Sequence, residues 1–487
     1  MRILGVNCLN HDAAISVIED GQIKFAAHSE RYSRKKNDMF LNDAIVEEAL
    51  KYGIPDKIAY YERPFIKKAR QAYAGQWSEV FNTQNLPGKY LKKWFGNQKI
   101  NYIDHHFSHA AAGYYTSPYD EAAIVVLDGI GEWDVLTVWH GKDRNIKKAF
   151  SIKYPNSLGL FYSAMTQRVG LKPCEEEYIL MGMSAWGDPK YTKNIKEDFF
   201  DEKSLFKLKY NLHKGVGSYK KDDNWSDFDI AASTQELTEI LLERIFVKVK
   251  SLLPQCENLV YMGGVALNCV ANSKILPHVY DDVWIMPNPG DAGSSLGAAA
   301  ALHGEFLQWS GPFLGTKIGH EYPVQEVLQH LLTNKIVGVT NGRAEFGPRA
   351  LGNRSLLADP RGDDIKDKVN EIKKRQKFRP FAPAIMEEHA SEYFDMPVTK
   401  IPYMQYIATC KQPEKFPAIC HIDGTSRVQT VSRDDNPGFY SLLESFYNKT
   451  GCPMLLNTSL NIKGQPIVNN LKDAQDFEAH YGVKVVV

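Results

Sequence analysis

The sequence predicts an α/β protein of two domains, the first over residues 1–315 and the second over 316–487. Three observations predict it. An apolar strand pair with a polar turn opens the chain at residue 2 and recurs at residue 122. Small, glycine-rich junctions join apolar strands to helical patterns at Gly263-Gly264 and at N-P-G-D-A-G-S-S-L-G-A-A-A-A, residues 288–301. A Gly- and Pro-punctuated stretch without clear periodicity, 303–324, then separates this region from a new strand at 335–340.

Taken in order, residues 2–27 read R-I-L-G-V-N, A-A-I-S-V-I and I-K-F-A-A around an E-D-G-Q turn, a β-hairpin meander pivoting on Gly21. Residues 122–139 repeat the plan, with glycines holding Asp128 at a strand end. The pair suggests a duplicated nucleotide-binding lobe, although hairpins are common. Leu237, Ile240, Leu241, Ile245, Val249 and Leu252 keep a helical period over 234–253. The strand L-V-Y-M and a helix over 265–270 follow it. Asp291 precedes an alanine-rich helix, whose N-terminus favours anions. Beyond the irregular stretch come the strand K-I-V-G-V-T, the segment G-R-A-E-F-G-P-R-A-L-G-N-R-S (342–355), a charged helix near 363–374 and F-R-P-F-A-P-A-I.

Composition bounds the function. Lys plus Arg equals Asp plus Glu at 58 each, so net charge gives no support to a nucleic-acid or membrane partner. No window reaches the roughly 18 apolar residues a membrane helix needs, and no apolar leader is visible, so no membrane partner and a cytoplasmic location are expected. Seven cysteines without a C-x-x-C pair read as reduced core thiols rather than a disulfide framework.

Four groups of residues could carry chemistry. Arg343, Arg349 and Arg354, set among glycines and Pro348, suit an oxyanion cradle, because each guanidinium offers a planar fork to phosphate or carboxylate. Lys373, Arg375, Lys377, Arg379 and Arg427 continue that basic theme, and L-L-N-T-S-L-N adds Asn457 with Thr458 and Ser459. In D-H-H-F-S-H-A, His105 and His109 lie four apart and share a helix face, a metal-ligand spacing that Asp128 and Asp291 would complete. A His2Asp2 set favours Fe2+, Mn2+ or Zn2+. His106 reads as the non-ligand neighbour, and a histidine pair of this kind also arises as a helix cap or core network. In N-H-D-A-A, His11 with Asp12 is a candidate general base, the alternative being a surface turn.

The motifs N-H-D-A-A, S-E-R-Y-S-R-K-K, H-x-x-x-H, L-D-G-I-G-E, G-G-V-A-L-N, G-D-A-G-S-S-L-G-A, G-P-R-A-L-G-N-R-S, F-R-P-F-A-P and N-T-S-L-N, in this order, resemble the NodU/CmcH-type O-carbamoyltransferases. The resemblance implies an actin/Hsp70-type, TsaD-like first domain of two lobes and a YrdC-like second domain. It implies ATP-dependent transfer of the carbamoyl group of carbamoyl phosphate to a hydroxyl through carbamoyl-adenylate, with Mg2+ and one transition metal. Positions matching the family's motifs assign His105, His109, Asp128 and Asp291 to the metal, and Lys36, Gly129, Gly263, Gly264 and Asn268 to nucleotide or adenylate. Arg349, Asn353, Lys373, Arg379, Arg427 and Asn457 match those that hold carbamoyl phosphate or ATP phosphates. Ile179 stands where the family has a lysine, and Asn37 and Asn353 stand where it often has histidine.

The acceptor is open: a small molecule, or a hydroxymethylpyrimidine nucleotide or DNA such as 5-hydroxymethylcytosine. Residues 63–99 carry eight Lys or Arg against one acid, Glu79, interleaved with seven aromatics, which would suit base stacking and phosphate contacts, although such a stretch is more often a packed amphipathic helix with a solvated face. A non-catalytic nucleotide sensor and a threonylcarbamoyl-adenylate-type tRNA modifier are the rival readings. A homodimer is left open as the assembly.

Overall fold

A computed structural model describes residues 1–201, 206–221, 224–319, 321–376 and 378–487. Lys377 of the basic series lies outside the described residues. The chain forms two compact units, one of Met1–Lys24 with Ala49–Trp309, the other of Phe25–Glu48 with Ser310–Val487. Residues 25–48, expected with the first domain, therefore fold with the second. The physical reason is long-range hydrogen bonding: Arg34 donates to the carbonyl oxygens of Ile467 and Pro466, and Arg31 to that of Gly347, so this excursion is held in the C-terminal unit.

The first unit carries two five-stranded sheets. In the first, β1 (Arg2–Asn7), β2 (Ala14–Glu19), β3 (Gln22–His28), β4 (Lys57–Tyr60) and β5 (Ile100–Tyr102) lie in the order β3-β2-β1-β4-β5. The second comprises β6 (Glu121–Gly131), β7 (Asp134–Lys142), β8 (Asn145–Lys153), β9 (Asn258–Met262) and β10 (Asp282–Trp284), in the order β8-β7-β6-β9-β10. In both, the middle strand pairs antiparallel with its successor and parallel with the fourth strand. The strand-pair repeat in the sequence is thus a repeat of a whole sheet. Asp20 and Gly21 both have positive φ, 49° and 79°, the backbone a two-residue hairpin between right-twisted strands demands.

Two helices, His105–Tyr114 and Ser294–His303, cross in close contact. A Cβ on Gly297 would lie 1.8 Å from the carbonyl oxygen of Ser108, so only glycine permits this approach. The alanine-rich sequence around Gly297 is buried on all sides, which explains why it shows no polar face. Asp128 lies inside β6 rather than at its end, because β6 runs on to Gly131 with irregular register after Leu127. The helix expected over 265–270 is a 3-10 turn, Gly264–Leu267, followed by an α-helix, Cys269–Ile275. Six cysteines are buried, whereas Cys174 is exposed, a departure from the expectation of core thiols throughout.

In the second unit a six-stranded sheet holds Ile336–Thr340, Arg354–Ala358, Ala382–Met386, Gln429–Val431, Met454–Ser459 and Val485–Val486. Ala382–Met386 runs antiparallel to Met454–Ser459 and parallel to Gln429–Val431, while Arg354–Ala358 runs antiparallel to Met454–Ser459. One end of this sheet therefore gathers the start of Arg354–Ala358, the start of Ala382–Met386, the start of Gln429–Val431 and the end of Met454–Ser459. No described helix is long and apolar enough to cross a membrane.

Candidate active site

His105 and His109 sit on the helix that Asp104 caps through Phe107 N–H, and both are almost fully buried. The Nε2 atoms of the two rings lie 3.3 Å apart. Asp291 Oδ1 lies 3.4 Å from His105 Nε2 and 3.3 Å from His109 Nε2, and Asp128 Oδ2 lies 3.5 Å from His105 Nε2. The four expected ligands thus converge, their ligand atoms all within 4.8 Å of one another. A tetrahedron with metal–ligand bonds of about 2.1 Å has edges of about 3.4 Å, which the separations among His105, His109 and Asp291 and that from His105 to Asp128 match.

Tautomers fit as well. His109 Nδ1 lies 3.1 Å from the carbonyl oxygen of Pro289, which only accepts, so Nδ1 carries the proton and Nε2 presents its lone pair. Burial opposes charge at this site, yet the carboxylates hold the His105 imidazolium well above its usual range, and the histidines hold Asp291 well below the usual carboxylate range. His106 points elsewhere: its Nδ1 lies 2.9 Å from Thr137 Oγ1, and burial keeps it neutral.

Asn7 ties the His11–Asp12 loop to this cluster. Its Nδ2 donates to the carbonyl oxygen of Asp291 at 2.9 Å and to that of Asp12 at 3.1 Å. His11 Nδ1 lies 3.0 Å from Asp12 Oδ2. Burial disfavours the His11 cation, but the Asp12 carboxylate outweighs it and pushes the pKa up to about 9. At neutral pH His11 is therefore an imidazolium, so a proton-accepting role requires its deprotonation first. If His11 is the base, transfer rate should rise with pH through about 9, and Asp12→Asn should move that rise toward the ordinary histidine value near 6.5. A rate flat with pH in both proteins would remove His11 from that role.

Gly263 has φ +94° and its N–H donates to the carbonyl oxygen of Pro289, while Gly264 N–H donates to Asp128 Oδ1 at 3.1 Å. The glycine pair thus abuts a candidate ligand directly. Gly129 accepts from Ser157 Oγ, the cap of the next helix. Asn268 caps the helix Cys269–Ile275 and exchanges hydrogen bonds with Gln235, so its amide is largely committed. Lys36 falls in the other unit, bonded to both Glu30 oxygens, apart in the chain's organisation from the glycines with which it was grouped. Ile179 is buried in the helix Glu177–Met183, a core position where a lysine would need a partner.

In the second unit the three-arginine cradle is revised. Arg354 is fully buried and donates to the carbonyl oxygens of Asn341, Asn353, Thr316 and Asn469, so it builds the loop. Arg343 likewise donates to Leu314 and Gly315. Arg349 is half-buried. Lys373 is buried, its ammonium on Ser459 O, Ser459 Oγ and Asn461 Oδ1, and burial with the charges of Arg375 and Arg379 pushes its pKa well below the usual range. Asn457 donates to Ala350 O and Gln429 Oε1, and Asn353 joins Arg343 O to Asn436. The sheet's topology gathers Arg349, Asn353, Arg379, Arg427 and Asn457 at one end. Sequence reasoning missed Asn7 and Asn461 as supporting residues; Asn461 stands in the quoted N-T-S-L-N beside Ser459, whereas a lone asparagine at the end of an apolar strand, as at Asn7, gave no signal.

The His2Asp2 set thus lies in one unit, and the sheet end near Arg349, Asn353, Arg379 and Arg427 in the other. Residues 57–300 match the carbamoyltransferase N-terminus and residues 328–487 the carbamoyltransferase C-terminus. An uncharacterised protein of Synechocystis sp. is 32% identical over 97% of this chain and 93% of its own length. The nodulation protein NolNO of Sinorhizobium fredii is 30% identical over 96% of this chain and 76% of its own. The 3'-hydroxymethylcephem-O-carbamoyltransferase of Amycolatopsis lactamdurans is 28% identical over 95% of this chain and 94% of its own. The chain belongs to the NodU/CmcH-type carbamoyltransferase family and is a transferase.

Proposed function

We propose that this enzyme makes carbamoyl-adenylate from carbamoyl phosphate and ATP in its second unit and transfers the carbamoyl group to an acceptor hydroxyl in its first. The observation that carries the proposal is the pairing of a metal-spaced His2Asp2 set with a separate gathering of cations and amides. In this reading the first unit is TsaD-like, supported by its duplicated sheet, and the second YrdC-like.

For the atoms to balance, carbamoyl phosphate loses phosphate to water as carbamate. A carbamate oxygen then attacks the α-phosphorus of Mg2+-bound ATP and pyrophosphate leaves. Arg349, Arg379 and Arg427 would neutralise the oxygens of the two polyanions, whereas the buried Lys373 amine is held by Ser459 and Asn461 and braces the site. Carbamoyl carbonyls are poor electrophiles because nitrogen donates into them, so the adenylate supplies the leaving group. A divalent metal held by His105, His109, Asp128 and Asp291 would polarise the carbamoyl oxygen. His11, once neutral, accepts the acceptor's hydroxyl proton as the C–O bond forms and AMP departs.

Arg349→Ala separates the steps. It is expected to abolish carbamoyl-dependent pyrophosphate release and to spare transfer from carbamoyl-adenylate supplied directly. Loss of both, in a folded variant, contradicts the division of labour.

A hydroxymethylpyrimidine in DNA is the second reading of the acceptor, favoured by exposed Phe65, Tyr73, Trp77 and Phe81. The cations there are fewer than the sequence suggested: Lys67 is paired with Glu62, Lys68 donates to three carbonyl oxygens, and Arg70 is buried. Lys89, Lys92, Lys93 and Lys99 remain exposed. An oligonucleotide bearing 5-hydroxymethylcytosine should gain one carbamoyl mass and bind more weakly as salt rises. No binding at low salt removes this reading.

A further inference from the structure

One buried acid beside the His2Asp2 set has no part in the scheme above. We propose that Glu62 is a positioning residue for that centre, its carboxylate standing behind His105 so that Nε2 is presented to the other three ligand atoms. The proposal rests on reading the four residues as a metal site.

Glu62 follows β4 directly and is almost fully buried. Its Oε2 lies 3.9 Å from His105 Nδ1, on the opposite side of the ring from Asp128 and Asp291. His105 Nδ1 is buried and has no hydrogen-bond partner, and Glu62 is the acid that faces it. The gap is about 1 Å beyond an ordinary N–H···O bond, a distance that a small ring rotation closes. Tyr61 packs against the same ring, with centroids 5.1 Å apart. On the far side of Glu62, Lys67 Nζ holds Oε1 at 2.7 Å, in the first turns of the helix Pro64–Tyr73.

The two histidines are thus backed differently. His109 has the neutral carbonyl of Pro289 behind it, whereas His105 has a carboxylate. Either partner only accepts, so either fixes the proton on Nδ1 and frees Nε2. The carboxylate does more, because its charge strengthens the imidazole as a donor to a cation, and such partners typically govern metal affinity by about 10- to 100-fold. Lys67 keeps the carboxylate ionised in a buried setting and limits how far it can turn. A purely structural Glu62 would serve Lys67 alone, and removing its charge would then leave metal affinity untouched.

The test titrates the metal-free full chain with Mn2+ alone and reads free ion by electron paramagnetic resonance. Wild type should bind Mn2+, and Glu62→Gln, which keeps the shape and loses the charge, should bind it about 10- to 100-fold more weakly while still folded without metal, as read by circular dichroism. No Mn2+ uptake by wild type would overturn the metal reading and this proposal with it. Uptake equal in wild type and Glu62→Gln would overturn the positioning role while the metal reading stands. Should Glu62→Gln fail to fold, Glu62→Asp keeps a carboxylate for Lys67 and withdraws it from His105. The same weakening is expected of it, and unchanged affinity would again overturn the proposal.

Discussion

Asp291→Ala is expected to abolish metal uptake and to lower carbamoyl transfer by about 10³-fold, while carbamoyl-dependent pyrophosphate release persists. Its carboxylate reaches the Nε2 atoms of both histidines, at 3.4 and 3.3 Å, so its loss removes the group that closes the ligand set. The alanine also leaves two buried imidazoles facing each other with less compensating charge, which further disfavours any cation bound with two histidines and one acid. The backbone of Asp291 remains held by Asn7, so the loop should keep its course. Metal analysis and single-turnover transfer from supplied carbamoyl-adenylate check the expectation. Undiminished transfer in a variant lacking the metal would show that the four residues do not form the transfer centre.

The second large effect concerns stability. Arg354→Met is expected to cost about 3 to 5 kcal/mol, read by denaturant unfolding, because it strips partners from several buried carbonyl oxygens and leaves Glu345 with less compensating charge. Burial pulls the Arg354 pKa down to about 10 while Glu345 opposes the change, so the guanidinium is still charged at neutral pH. A lysine should not rescue it. One ammonium cannot span carbonyl groups contributed by Thr316, Asn341, Asn353 and Asn469, which the planar fork reaches together. Wild-type stability in Arg354→Lys would contradict the account of the loop as a scaffold built around that side chain.

What the sequence disclosed, and what it hid, follows from the range of the interactions. His105 and His109 were legible because a four-residue spacing on a helix fixes a shared face, and Asp291 because a small-residue run announces a tight helix junction. The duplicated sheet was legible as repeated strand pairs, since apolar alternation is local. The fate of Arg354 was not legible, because its partners lie as far away as Asn469 and nothing in G-N-R-S distinguishes a ligand-binding guanidinium from one turned inward. Residues 25–48 went to the other unit for the same reason, being held by contacts to Gly347, Pro466 and Ile467 that no periodicity reports. The basic run 63–99 overstated its free charge, since Lys67 and Lys68 turn back onto their own neighbourhood. His11 was placed correctly beside an acid by its motif, but the strength of that partnership depends on burial, which sequence does not carry.

The central claim is that carbamoyl transfer by this chain proceeds through an adenylate. The purified full chain, given labelled carbamoyl phosphate, ATP and Mg2+ without acceptor, should form labelled carbamoyl-adenylate and release pyrophosphate only when carbamoyl phosphate is present. Carbamoylation of an acceptor that proceeds equally well without ATP, with no pyrophosphate released, would contradict it.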